Sequence, residues 1–119
     1  MQKVNIAEKL GTFNEHWSPR IVAELNGQQV KVAKVQGEFD WHFHENEDEL
    51  FWVIRGELEL HFRDQTIILQ PGELLVVPRG VEHKPVASNE CEIVLFEPAS
   101  TLNTGNVRSE RTREDLEKI

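Results

Sequence analysis

Residues 42 to 50 read HFHENEDEL, two histidines and four acids in nine positions. Imidazole and carboxylate are the common nitrogen and oxygen ligands of divalent metals, so the stretch is either a solvated turn or part of a cation site. In a strand, residues i and i+2 share a face about 6.5–7 Å apart, so His42 and His44 can aim both rings at one ion while Phe43 faces away. ENED then reads as a tight turn, and Glu49 opens the run ELFWVI, which can return antiparallel beside the histidines. Within that run Glu49, Phe51 and Val53 share one face, and Leu50, Trp52 and Ile54 the other. If the first face lines an apolar interior, Glu49 needs a cation or a hydrogen-bond network to stay charged. A fourth ligand could come from His83, carried onto a later strand by the turn Pro78-Arg79-Gly80. Three imidazoles and a carboxylate suit Fe, Mn, Zn, Ni, Co or Cu alike. Glu45, Glu47 and Asp48 read as the solvated charges of the turn.

The elements that must hold these side chains are short β-like runs: QQVKVAKV, GEFDWHFH, ELFWVI, ELELHF, TIILQ, LLVVP and EIVLF. Turn residues divide them at Asn26-Gly27, Gly37, Arg55-Gly56, Arg63-Asp64, Pro71-Gly72 and Pro78-Arg79-Gly80. The pattern predicts an all-β chain with strands of about 5–8 residues. Many short antiparallel strands avoid exposed edges by closing into a barrel or a two-sheet jelly roll, whose interior lets side chains converge. Helical signals lie only at the ends, in NIAEKLGTFNEH and in RSERTREDLEKI. The expected organisation is one domain over residues 1–119, with a core barrel at about 28–97 and a polar C-terminal segment over 98–119. That segment is expected to be frayed or docked on a partner.

Thirteen basic against 21 acidic residues give a formal net charge of -8, which opposes the phosphate neutralisation that nucleic-acid binding needs. Cys91 is the one cysteine, so no intrachain disulfide forms, and a reducing cytoplasm is the expected location. The N-terminus has no apolar signal core, and no run approaches the roughly 18 apolar residues of a membrane span.

Two longer patterns sharpen the reading. HFHENEDELFWVIRG is H-x-H, four residues, E, six residues, G; GELLVVPRGVEH is G, five residues, P-x-G, two residues, H. In tandem they resemble the two motifs of the cupin superfamily over roughly residues 30–97. The resemblance implies a double-stranded β-helix, or jelly-roll barrel, with His42, His44, Glu49 and His83 as ligands of a divalent transition metal. Gly37 stands one residue nearer the first histidine than is usual in that family, and Ala87 replaces a frequent asparagine; both lie outside the ligand set. The chain also looks like the short cupins grouped by similarity to mannose-6-phosphate isomerases.

Lys34 is the candidate catalytic residue. It shares the even parity of Val30 and Val32 and, if parity holds across Gly37, that of His42 and His44. Inside a barrel it would carry a proton, meet an anionic ligand or pair with a carboxylate such as Glu97; otherwise it is a strand-edge lysine reaching water. His61 is expected on the wet face of its strand, and His16 away from the site. The expected function is binding or turnover of a small oxygenated metabolite, a sugar phosphate or a keto or enol acid, at the metal. An isomerase, a dioxygenase and a non-catalytic binding protein all remain open. A homodimer is expected, because outward Leu50, Trp52 and Ile54 need cover.

Overall fold

Asn26 and Gly27 both take positive φ, 48° and 76°, the two-residue turn whose twist matches the strands on either side. They join β1 (Arg20–Leu25) to β2 (Gln28–Glu38) in the computed structural model, which describes all 119 residues. β3 (Glu49–Arg55), β4 (Leu58–His61), β5 (Thr66–Leu69), β6 (Leu74–Val77) and β7 (Lys84–Pro98) follow. All strand pairs are antiparallel, in the order β1-β2-β7-β3-β6, with β4 between β5 and β7. β7 joins the two halves of one seven-stranded sheet: Lys84–Val86 pair with β4, whereas Cys91–Pro98 run along β2 and β3. The result is the all-β jelly roll that strand alternation predicts.

Alternation also locates the core. Ala33 and Val35 of β2, Phe51 and Val53 of β3, Leu58 and Leu60 of β4, and Cys91, Ile93 and Leu95 of β7 meet between these halves. A second cluster lies on the outer face of the larger half, where Leu10 and Phe13 cover Val32 and Val94, flanked by Val30, Ile54 and Ile119. Leu10 comes from the short helix α1 (Ile6–Leu10), capped when the Asn5 side chain accepts from the Glu8 N–H and ended at Gly11.

Three expectations change. The sheet begins at Arg20, ahead of residue 28, because β1 pairs with β2 through the tight turn although only the start of RIVAEL is buried. β2 and β7 are 11 and 15 residues long, exceeding the expected strand length because each crosses from one sheet region to the other. The C-terminal segment forms no helix and is neither frayed nor waiting for a partner. It folds back on its own barrel, where Asn106 and Phe43 exchange two hydrogen bonds and Ser109 Oγ donates to Asp40. Its end runs beside β1: the Ile21 N–H donates to the Glu117 carbonyl, the Ile119 N–H to the Ile21 carbonyl, and Lys9 Nζ holds the Ile119 carbonyl. No helix is long and apolar enough to cross a membrane.

Candidate metal centre

β2 ends at Glu38, and after an irregular Phe39–Trp41 the chain makes one antiparallel bridge between His42 and His83. Each of these residues donates its N–H to the other's carbonyl, at 3.0 and 2.8 Å. The Gly80 N–H donates to the His44 carbonyl at 2.7 Å, which fastens the Pro78-Arg79-Gly80 turn to the histidine segment. Glu49 opens β3 opposite Val77 and points inward with Phe51 and Val53, as its parity predicts. His42, His44, Glu49 and His83 are all buried, and one ligand atom from each lies within 4.8 Å of the others.

The hydrogen bonds fix which ring atoms are free. His42 Nδ1 is 2.8 Å from the Asp40 carbonyl and His83 Nδ1 is 2.9 Å from the Val81 carbonyl. Carbonyls only accept, so both Nδ1 atoms carry hydrogen; in the neutral ring this leaves the lone pair on Nε2, the tautomer of a metal-binding imidazole. Nε2 of His44 and of His83 each lie 3.3 Å from Glu49 Oε1. Neither ring nitrogen of the buried His44 has a hydrogen-bond partner. A buried polar atom left unpaired costs about 1–3 kcal/mol, and a cation in this cluster removes that deficit at one nitrogen. The residues thus fit a divalent transition metal.

Electrostatics prepare the same donors. Burial, and then the charge of His83, hold His42 down to about 4, so its ring is neutral at ordinary pH. Burial would raise Glu49, but the neighbouring Glu97 carboxyl and the His44 and His83 rings outweigh it and keep the carboxyl well below its usual range. Burial and the negative charge of Glu49 push Glu97 well above its usual range. Of these two neighbouring carboxyl groups, Glu97 is the one pushed toward its protonated form. Glu97 Oε1 accepts from Lys31 Nζ at 2.8 Å, both side chains are 2% exposed, and no donor reaches Glu97 Oε2.

Lys34 stands elsewhere, and the parity argument behind its expected role is corrected. The odd residues of β2, Lys31, Ala33 and Val35, face the interior, while Val32 and Lys34 face the N-terminal segment. Alternation restarts after the irregular Phe39–Trp41, so the even parity of the histidines does not extend back to β2. Lys34 Nζ donates to the Phe13 carbonyl at 2.8 Å, with Glu92 at 4.0 Å. The buried lysine on Glu97 is Lys31, and the signal for it was there: a lysine in phase with Ala33 and Val35.

Other acids of the opening stretch are turn residues, as expected. Asp48 accepts from the Arg79 N–H and Glu47 from Ser100 Oγ, while Glu45 is exposed. His61 is half-buried and bonds to Glu59, and His16 pairs with Glu90 at 2.7 Å. Beside the cluster lies a cavity of about 40 Å³, room for a few water molecules, walled by Trp17, Phe39, Phe51, His42, Glu49 and Glu97.

Residues 28–97 match the model of the cupin domain family. The chain belongs to the cupin family. A cupin-2 domain containing protein from Shewanella frigidimarina NCIMB 400 superposes with a TM-score of 0.79 at 54% identity, covering 80% of this chain and 93% of that one. NMB1881 from Neisseria meningitidis gives 0.76 at 30% identity, covering 82% of this cupin and all of that chain (100%). The uncharacterized protein YdbB of Bacillus subtilis (strain 168) is 41% identical over 64 residues, 53% of this cupin, and the match spans 57% of that protein's length. KdgF from Halomonas sp. is similar at 27% identity with a TM-score of 0.59, over 67% of this chain and 78% of that one.

Proposed function

We propose that this cupin holds a divalent transition metal on His42, His44, Glu49 and His83, and there binds or converts a small oxygenated metabolite, a sugar phosphate or a keto or enol acid. The observation that carries the reading is His44: a fully enclosed imidazole with two unpartnered nitrogens beside three other donors. A bound ion would polarise a metabolite oxygen as a Lewis acid. The chain supplies the rest. The Asp40 and Val81 carbonyls orient the His42 and His83 rings, Glu97 beside Glu49 is pushed toward its protonated form, and Trp17, Phe39 and Phe51 keep bulk water out. The sequence resemblance to short cupins grouped by similarity to mannose-6-phosphate isomerases is what suggests a sugar phosphate as one candidate ligand. The proposal includes a homodimer formed through the uncovered outer face of β3 and β6.

Elemental analysis of the purified protein should return about one transition-metal ion per chain. His44→Ala and His83→Ala should each lower metal affinity by more than about a hundredfold. Wild-type protein that takes up no metal after supplementation would overturn the reading. Loaded protein assayed with sugar phosphates and keto acids, with and without oxygen, separates an enzyme from a binding protein.

A further inference from the structure

The C-terminal segment brings an arginine to the aromatic wall of the cavity. Asn103, which lines it, donates to the Arg111 carbonyl and accepts from the Arg113 N–H, and the Arg111 N–H donates to Ser109 Oγ, itself bonded to Asp40. These contacts fix the backbone of Arg111 against the barrel. Its guanidinium carbon stands 5.6 Å from the Trp17 ring and 6.0 Å from the Phe39 ring, two stacked walls of the cavity. Phe39 in turn meets the His42 ring edge-on at 5.3 Å, so one aromatic ring separates the arginine from a proposed metal ligand.

Arg111 is half-buried, yet its guanidinium makes no ion pair and no hydrogen bond. Arg20, Arg63, Arg79 and Arg108 each pair with a carboxylate, and Arg113 donates to two carbonyls. Arg55, the other one without such a partner, is exposed at the end of β3. A guanidinium held on aromatic faces keeps its planar fork of donors open for a carboxylate or phosphate. Local charge agrees: Lys31 Nζ is held by Glu97, and a divalent ion on Glu49 would leave an excess of positive charge to which Arg111 adds.

Resting on the metal-centre reading, we propose that Arg111 is the anion-recognising residue of this cavity. The ligand is then a small acid with an acidic group at the guanidinium and a hydroxyl or oxo oxygen toward His42 and Glu49. The four ligand residues alone do not require an acid; Arg111 does.

Calorimetric titration of lactate against its neutral amide, and of glycerol 3-phosphate against glycerol, tests this on chelator-stripped and Co²⁺-loaded protein. At least one acid should bind at least about tenfold more tightly than its uncharged counterpart. Arg111→Gln and Arg111→Ala should erase that preference without changing the neutral compound's affinity or the Co²⁺ stoichiometry, and Arg111→Lys should keep part of it. The glutamine variant retains most of the stem, and a matched melting curve shows that it is folded. Equal binding of acid and neutral partner, no binding of either acid, or a preference that survives Arg111→Gln overturns the proposal. An Arg111-dependent preference in protein that takes up no Co²⁺ would retain the arginine and discard the metal. Co²⁺ uptake with no Arg111-dependent preference would do the reverse.

Discussion

At the scale of single residues, this cupin places neutral and charged forms with some care. His42 is buried and surrounded by other imidazoles, so protonating it in the folded state is costly, and its value falls from 6.5 to about 4. Between those values the unfolded chain binds more protons than the folded one. Stability from this group is therefore complete above about pH 6.5 and is lost as pH falls toward 4. Metal-stripped protein unfolded in urea should lose about 2–3 kcal/mol from this residue between pH 7 and 4.5, and His42→Gln should remove most of that slope. A wild-type slope unchanged by His42→Gln would show that the ring is not held neutral by its burial. Lys31 is equally enclosed, at 2% exposure, and its Nζ is held by the hydrogen bond to Glu97.

At the scale of elements, the C-terminal loop acts as a clamp on the ligand segment. Gly105 has φ of +56°, and a Cβ there would stand 2.2 Å from the Phe43 carbonyl oxygen and 3.2 Å from His42 Cδ2. Gly105→Ala must push the loop off the segment that carries His42 and His44. It should cost more than about 2 kcal/mol by thermal or urea unfolding and weaken metal retention. Gly27→Ala is the control: φ is +76° but nothing lies within 4 Å, so strain alone should cost about 1 kcal/mol and leave metal retention intact. Equal losses for the two variants would remove the clamp. None of this was legible in TLNTGN, which reads as a polar loop, because the clamp exists only once residues 105 and 106 meet residue 43. The inward acid of β3 was legible, since Glu49, Phe51 and Val53 alternate without interruption. Lys34 was misplaced because two-residue alternation carries no information through an irregular segment, and the chain breaks rhythm between Glu38 and His42. β1 was missed because only the start of RIVAEL is buried, which leaves little hydrophobic rhythm to read.

At the scale of the whole molecule, one side of the sheet is half covered. α1, Phe13 and Ile119 shelter Val32, Val94 and Ile54, so part of the cover expected from a second copy is intramolecular. The edge remains open: Trp52 is 40% exposed, and Leu74 and Val76, on the terminal strand β6, are 53% and 48% exposed. Trp52 sits opposite Leu74, and Leu50 opposite Val76, so these side chains form one apolar face. The proposed homodimer buries that face. Sedimentation should give a dimer at micromolar concentration, and Trp52→Lys or Val76→Lys should give a folded monomer; a wild-type monomer would discard the dimer. The reciprocal bridge between His42 and His83 has a different kind of consequence. Its two strands of chain meet only in the folded protein, so the proposed ligand set has no counterpart in the unfolded one. An ion at a hundredfold excess over its Kd would then add about 2.7 kcal/mol to the folded state. The lifetime of this protein in a cell would therefore follow the supply of that ion, making its abundance a record of metal availability as well as of synthesis.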